Sequence, residues 1–312
     1  MILTRRIEEA EWPAWDSFVE NAQGGTIQHQ TFWLRLAGKT CHCNPIVWGV
    51  FKGRELIGGC ALLEDASASS AKVAPCTQYN GLVFADSKST KAYRQEKTAL
   101  VVEEALAKEL ENYYRSVVMT NHPFIRDVRP FIWAGWNVDI CYDYFWDMSD
   151  PDTIQQSMHH DVRRQLKIAE SNGLQVRISH EWEKVFDLWK LSFGHKGLRL
   201  RLDPGMIGYW YEEMAKKNMA MTYLAETGGR AVAGLTVVKG KKTLYLWFNG
   251  LNSEYRKLGA NTLLMWKAML DHRYTHKLFD LCGGDVAGVA AYKSSLGAHL
   301  VPHYRVSFHS NI

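Results

Sequence analysis

Apolar positions along the chain change their period in a fixed order, and that order occurs twice. Alternating runs predict strand hairpins at Ile46–Phe51 with Leu56–Leu63 and at Met221–Glu226 with Ala231–Lys239. The turns "KGRE" and "ETGGR" put glycine where the backbone needs positive φ. A third strand follows in the second half, Thr243–Asn249. Helical spacing then predicts long helices from Leu100 to about Tyr114 and over "NTLLMWKAMLDH". Each leads into a short strand ("SVVMT", "KLFDLC"), a shorter helix and a last strand. The closing stretches "PFIWAGWNVDICYDYFW" and "YKSSLGAHLVPHYRVSF" align with Gly135 on Gly297, Val138 on Leu300 and Tyr142 on Tyr304 at one common offset. So long a period signals duplicated domains rather than a solenoid.

Between the copies, Asp150 is placed to cap a helix beginning at Pro151. Ile154, Met158, Val162, Leu166 and Ala169 continue at helical spacing until Asn172-Gly173 ends the pattern. This places the boundary at Asp150 and predicts domains 1–149 and 150–312. Strands both adjacent and separated by helices imply an α+β fold in which each domain has a mixed, largely antiparallel sheet flanked by helices.

Composition narrows the class. Of 312 residues, 46% are hydrophobic, including 12 Trp, 14 Tyr and 12 Phe, which suits packed cores and argues against disorder. Basic residues (37) nearly balance acidic ones (33), so only local clusters speak to polyanions. The six cysteines contain no CxxC pair, and Cys41-His42-Cys43 lacks a second pair at zinc spacing. No metal is expected, and the thiols read as free in a reducing compartment. The start, "MILTRRIEEAEWPAW", has no apolar core of a signal peptide, and no run of about 18 apolar residues occurs. A cytoplasmic address without a transmembrane segment is expected. No GxSxG, HExxH, P-loop or Rossmann fingerprint appears.

Some residues stand out against their surroundings. In "CGGDVAGVAAYKSSLG", Val286, Val289, Lys293 and Leu296 form one helix face. A lysine on such a stripe snorkels to water, finds a partner or points into a cleft. Asp280 lies between apolar residues in "KLFDLC". It is either a base with a raised pKa or a structural carboxylate on a half-exposed face or paired with arginine. Gly283 and Gly284 precede a helix expected to be capped by Asp285; they admit a substrate to the backbone or simply form the turn. His159, Arg163 and Lys167 recur every fourth residue, with Arg164 alongside. That row suits phosphates, or is a solvated basic face. Arg199 and Arg201 share one side of an extended "RLRLDP", a second anion candidate, and His195 is a loop histidine. Trp247, Phe248, Tyr209, Trp210, Tyr211, Gln28, Gln30 and Trp33 read as core or cleft wall.

"TIQHQTFWLRLAG", "HHDVRRQLKIAESNGLQV", "SEYRKLGANTLLMWKAMLDH" and the ending "FDLCGG…AAYKSSLGAHLVPHY", in this order over nearly the whole chain, resemble the FemAB-type branch of tandem GNAT proteins. The resemblance implies two GNAT-like domains and transfer of an acyl or aminoacyl group to an amine. It implies that Tyr292-Lys293 matches an aromatic–Lys pair associated with the reacting acyl group; Asp280, read from its apolar flanks, is the candidate base beside it. It also implies acyl-CoA as a donor, its pyrophosphate held near Arg256 and Gly259. The sequence departs from R/Q-x-x-G-x-G/A by ending in Asn261, and segment 205–245 has no room for the long helical arm of some Fem ligases. The expected function is therefore a compact N-acyltransferase drawing on a thioester or aminoacyl-tRNA. Its expected acceptor is a cell-envelope or polysaccharide precursor, with peripheral membrane contact and no DNA partner. Other readings are a degenerate, ligand-binding GNAT pair and a small-molecule acetyltransferase.

Overall fold

The structure, a computed structural model, describes residues 1–86, 89–195, 197 and 199–310. The chain runs through β1 (Ile2–Arg6), α1 (Trp12–Asn21), α2 (Thr31–Cys41), β2 (Asn44–Lys52), β3 (Glu55–Glu64), β4 (Ser70–Lys72), β5 (Leu82–Phe84), α3 (Ala92–Tyr113), β6 (Ser116–Thr120), α4 (Arg129–Trp133) and β7 (Asn137–Asp147). It continues through α5 (Pro151–Ser157), α6 (His160–Ser171), β8 (Gln175–Ser179), α7 (Trp182–Gly194), α8 (Pro204–Lys216), β9 (Ala220–Thr227), β10 (Arg230–Lys239), β11 (Thr243–Leu251), α9 (Ala260–His272), β12 (Leu278–Asp280), α10 (Ala287–Ser295) and β13 (His299–His309). Contacts group the chain into two compact units, Met1–Cys141 with Pro302–Ile312, and Tyr142–Val301. This partition differs from a division at Asp150 in where it assigns residues 142–149 and 302–312.

In the first unit the strand order is β1-β2-β3-β4-β6-β13, with β5 also paired to β3. The neighbours are antiparallel except β4 and β6, which run parallel. Parallel neighbours need a long crossover, and α3 supplies it. Val102, Leu106 and Leu110 of α3 recur every fourth residue and pack on Trp48, Leu62, Leu82 and Val117. The hairpin turn between β2 and β3 has Gly53 at φ 65°, as the sequence requires.

The second unit has the order β7-β12-β11-β10-β9-β8, using β7 from Tyr142 onward. Here β11 and β12 are the parallel neighbours, connected through α9, and the remaining pairs are antiparallel. Trp146, Tyr223, Leu235, Leu246, Leu264, Phe279 and Leu296 form its core. The five apolar positions from Ile154 to Ala169 are all buried, and Asp150 caps Pro151 through the N–H groups of Asp152 and Thr153. They do not lie on one continuous helix. Met158 is extended, ending α5, and His159 is the N-cap of α6. The break follows from packing: the His159 N–H donates to the Ser295 carbonyl at 2.9 Å, and Gly297 lies against Ser157 so closely that a Cβ would stand 2.8 Å from its carbonyl carbon.

Glu103 is the exception on the buried stripe of α3. It is fully buried, and neither carboxylate oxygen has a hydrogen-bond partner among the described residues. Burial, reinforced by Asp127, pushes its pKa up to about 9. The folded protein therefore keeps a proton that the unfolded chain releases above the ordinary carboxylate range. Stability falls as pH rises across that window, by up to about 1.4 kcal/mol per pH unit. Glu103→Gln is expected to raise the unfolding midpoint, with a gap from wild type that widens from pH 5 to pH 8 in urea denaturation. A gap independent of pH would contradict this.

Candidate active site

The site begins where the parallel ladder of the second unit stops. β11 and β12 pair only over Thr243–Tyr245 with Leu278–Asp280. Beyond that point β11 runs on to Leu251 while β12 ends, because Cys282 and Gly283 take left-handed backbone angles (φ 58° and 53°) and turn the chain. The Asp280 carboxylate fixes the turn by accepting the Cys282 N–H at 2.8 Å. On its other edge β11 slips register against β10, leaving Trp247 as an extra residue between pairs Thr236–Phe248 and Val237–Leu246. Such a bulge bends a strand.

β7 holds the turn from the opposite side. The Leu281 N–H donates to the Tyr144 carbonyl (2.8 Å) and the Gly284 N–H to the Tyr142 carbonyl (2.7 Å). The Asp285 carboxylate accepts the Tyr142 N–H at 2.9 Å. Asp285 therefore does not cap the following helix as the sequence suggested. The N-cap of α10 is Val286, which makes no side-chain cap bond. Gly284 is obligatory here, since a Cβ would lie 2.5 Å from the Tyr142 carbonyl oxygen.

Lys293 projects from α10 into this turn. It is only 5% exposed and its Nζ donates to the Cys282 carbonyl. A Cβ on Gly283 would stand 3.2 Å from that Nζ. Two buried carboxylates accompany the amine, Asp280 of β12 and Asp143 of β7. Burial lowers the Lys293 pKa, opposed by Cys282, Asp143 and Asp280. The Cys282 thiol donates to the Leu246 carbonyl at 3.3 Å, and burial together with Asp280 and Asp143 pushes it well above the usual thiol range. It is a poor nucleophile in this state. The partly buried Tyr292 hydroxyl is 3.1 Å from Thr262 Oγ1 and accepts from Asn261 Nδ2 at 3.4 Å; the Asn249 amide donates to Asn261 Oδ1 at 2.9 Å. This chain of bonds ties α10 to the first turn of α9 and to β11. Burial raises the Tyr292 pKa, opposed by those two hydrogen bonds.

Of the residues marked in the sequence, Lys293, Tyr292, Asp280, Gly283 and Gly284 converge. Asp143 joins them, although sequence reasoning passed over it. Its signal was the one that marked Asp280, a carboxylate set among apolar neighbours, here in "ICYDYFW". Gly259 is the left-handed N-cap of α9 (φ 70°), and a Cβ there would meet the Gln165 carbonyl oxygen at 2.4 Å, so packing of α6 demands this glycine. Arg256 is exposed on the short 3-10 helix before it. On α6, Arg163 donates to the Gln156 carbonyl (2.9 Å), Arg164 pairs with Asp161 (2.9 Å) and Lys167 is exposed. Arg199 and Arg201 are exposed ahead of α8, whereas His195 is bonded to Ser253 at 2.8 Å. His159, His160 and Asp161 offer ligand atoms within 4.8 Å of one another on an exposed helix start. Arg164 already pairs with that carboxylate, and we assign no metal to them. Trp247 stacks on Trp210 and Phe248 on Trp189, as wall and core. Gln28 accepts the Gln78 and Tyr79 N–H groups in the first unit.

Residues 156–294 match the model of the acetyltransferase (GNAT) domain. Along its length the chain superposes on FemX at a TM-score of 0.74 with 13% identity, covering 99% of this chain and 98% of that one. A tandem GNAT protein from the clavulanic acid biosynthesis pathway gives 0.52 with 11% identity, over 98% of each chain. The C-terminal domain of a putative lysylphosphatidylglycerol synthetase from Agrobacterium fabrum gives 0.57 with 12% identity, over 96% of this chain and 92% of that one. No curated protein matches the sequence. The fold is therefore that of tandem GNAT proteins, with the GNAT-domain match confined to residues 156–294. Among the described residues, no helix is long and apolar enough to cross a membrane.

If Gly259 serves packing, Gly259→Ala costs stability with no ligand present. A left-handed alanine is strained by about 1–2 kcal/mol, and the Gln165 contact adds to it. A lowered urea midpoint is expected; an unchanged one would return the glycine to a purely ligand-binding role.

Proposed function

We propose that the second unit is the reaction centre of an N-acyltransferase. It would move an acyl or aminoacyl group from a thioester or aminoacyl-tRNA to an amine on a cell-envelope or polysaccharide precursor. The first unit would help to hold that acceptor. The observation that carries this reading is the Lys293 amine, withdrawn from water at the end of a parallel strand beside two buried carboxylates. The resemblance to the FemAB-type branch supports the envelope acceptor, and the GNAT-domain match supports a thioester donor. Arg163, Arg164, Lys167, Arg199, Arg201 and Arg256 line the outer surface as contacts for the anionic parts of either donor.

Acyl transfer needs an uncharged amine, a carbonyl at close range and a stabilised oxyanion. Asp280 takes the proton from the acceptor ammonium. The freed nitrogen lone pair then forms the new C–N bond, and the carbonyl π electrons move onto oxygen beside Lys293. When the oxyanion collapses, the C–S or C–O bond to the donor breaks and the leaving group takes up the second proton, shed by the new amide nitrogen, while Asp280 returns its own to solvent. Tyr292, anchored by Thr262 and Asn261, keeps α10 and therefore Lys293 in register. Where strands β11 and β12 part, the edge of β11 offers backbone groups to an extended donor arm.

The test is a panel of acyl-CoA thioesters and aminoacyl-tRNAs assayed by mass gain of amine-bearing envelope precursors. Lys293→Met, which keeps the volume of the side chain, is expected to lower turnover by about 10²–10³ while the fold survives. Wild-type turnover in that variant would remove Lys293 from the mechanism. Binding of a donor with no transfer from any member of the panel would favour a ligand-binding pair.

A further inference from the structure

We propose that Asp143 is a positioning residue for this site: it keeps the Lys293 amine protonated and directed at the Cys282 carbonyl, so that Asp280 serves as the base. This rests on the acyl-transfer reading for its catalytic consequence, and for the pairing on the β7–β12 register and the burial of both groups, with the electrostatics of Lys293 in support.

The register of β7 against β12 supplies the geometry. Phe145 lies opposite Asp280 and Trp146 opposite Phe279. The bonds from Leu281 to Tyr144 and from Gly284 to Tyr142 carry the pairing past the end of β12. The register slips by one residue between those two bonds, so Asp143 falls opposite the Cys282–Gly283 turn, whose Cys282 carbonyl receives Lys293 Nζ. Alternation separates two faces. Tyr144, Trp146, Phe279 and Leu281 enter the hydrophobic core. Asp143, Phe145 and Asp280 share the other face, where Asp143 is 4% exposed and Asp280 fully buried.

A carboxylate this deep needs a cation, and a buried ammonium needs an anion. The titratable groups that face Lys293 are Asp143 from β7, Asp280 at the end of β12 and the Cys282 thiol in the turn. Tyr245 of β11 faces Asp280. The two carboxylates are not equivalent. Asp280 holds the Cys282 N–H at 2.8 Å and sits on the last residue of the strand, beside the opening. Asp143 lies one strand further from that opening, behind the turn. This arrangement divides the labour: the β7 carboxylate sets the charge of the lysine, and the one at the end of β12, where the parallel strands part, exchanges a proton with the acceptor.

The experiment follows the Cε shift of Lys293 through a pH titration in full-length protein labelled with ¹³C-lysine, the signal being assigned by its loss in Lys293→Met. Asp143→Asn is expected to lower the Lys293 midpoint by at least about one pH unit. Asp143→Glu should restore most of it. Asp143→Ser, a smaller polar replacement, should repeat the downshift and guards against a folding defect in the asparagine variant. The alkaline limb of kcat/KM should move to lower pH by the same amount, which a merely structural role would not produce. An unchanged midpoint in Asp143→Asn and Asp143→Ser overturns the proposal. A shifted midpoint in a protein that transfers no acyl group upholds the pairing and removes the function proposed above instead.

Discussion

An ammonium taken out of water must be compensated, and the second unit is arranged around that requirement. Burying Lys293 would cost several kcal/mol if it stood alone. The cost is offset by a carbonyl that has been turned to meet it, which in turn depends on two consecutive left-handed residues, Cys282 and Gly283. That turn is held from within by Asp280 and from β7 by backbone bonds to Tyr142 and Tyr144. Remove any of these and the carbonyl loses its direction. The glycines of "CGGD" are therefore part of the electrostatics: one leaves room beside Nζ, and the other lets β7 approach.

The same turn ends β12, and ending β12 is what opens the strand pair. Parallel strands that separate leave backbone groups on one edge without a ladder partner, and the bulge at Trp247 bends β11 at that point. The Asn249–Asn261–Tyr292 chain of hydrogen bonds spans this region and links β11, α9 and α10. Lys293, Asp280 and Tyr292 thus sit on elements fixed from several sides.

Much of this was legible in the residues. Hairpins with glycine turns, long helices between parallel strands and the repeated ending gave the mixed sheets, because period-two and period-3.6 patterns report burial directly. Lys293 stood out since a charge on an apolar stripe must have a reason. Local pattern could not supply cross-strand register. Asp143 and Cys282 are far apart in sequence and meet only because of how β7 pairs, so the apolar neighbours of the aspartate marked it as buried but not as part of this site. The break at Met158 was hidden because its buried residues keep helical spacing on both sides, and the cause lies at Ser295 and Gly297. Asp285 looked like a cap by position, yet its carboxylate is used by Tyr142. Gly259 fitted a phosphate-binding motif, whereas the contact with Gln165 explains it without one.

The pairing of β13 with β6 has a consequence for biosynthesis. Arg305 to His309 cover the edge of β6 within the first unit, although the whole of the second unit is translated in between. On the ribosome, the nascent first half emerges with that edge strand bare and must persist as a partly closed intermediate. The later-made half can bury its core earlier. Bare strand edges invite association with other chains, so the interval is one in which a holdase chaperone would matter most.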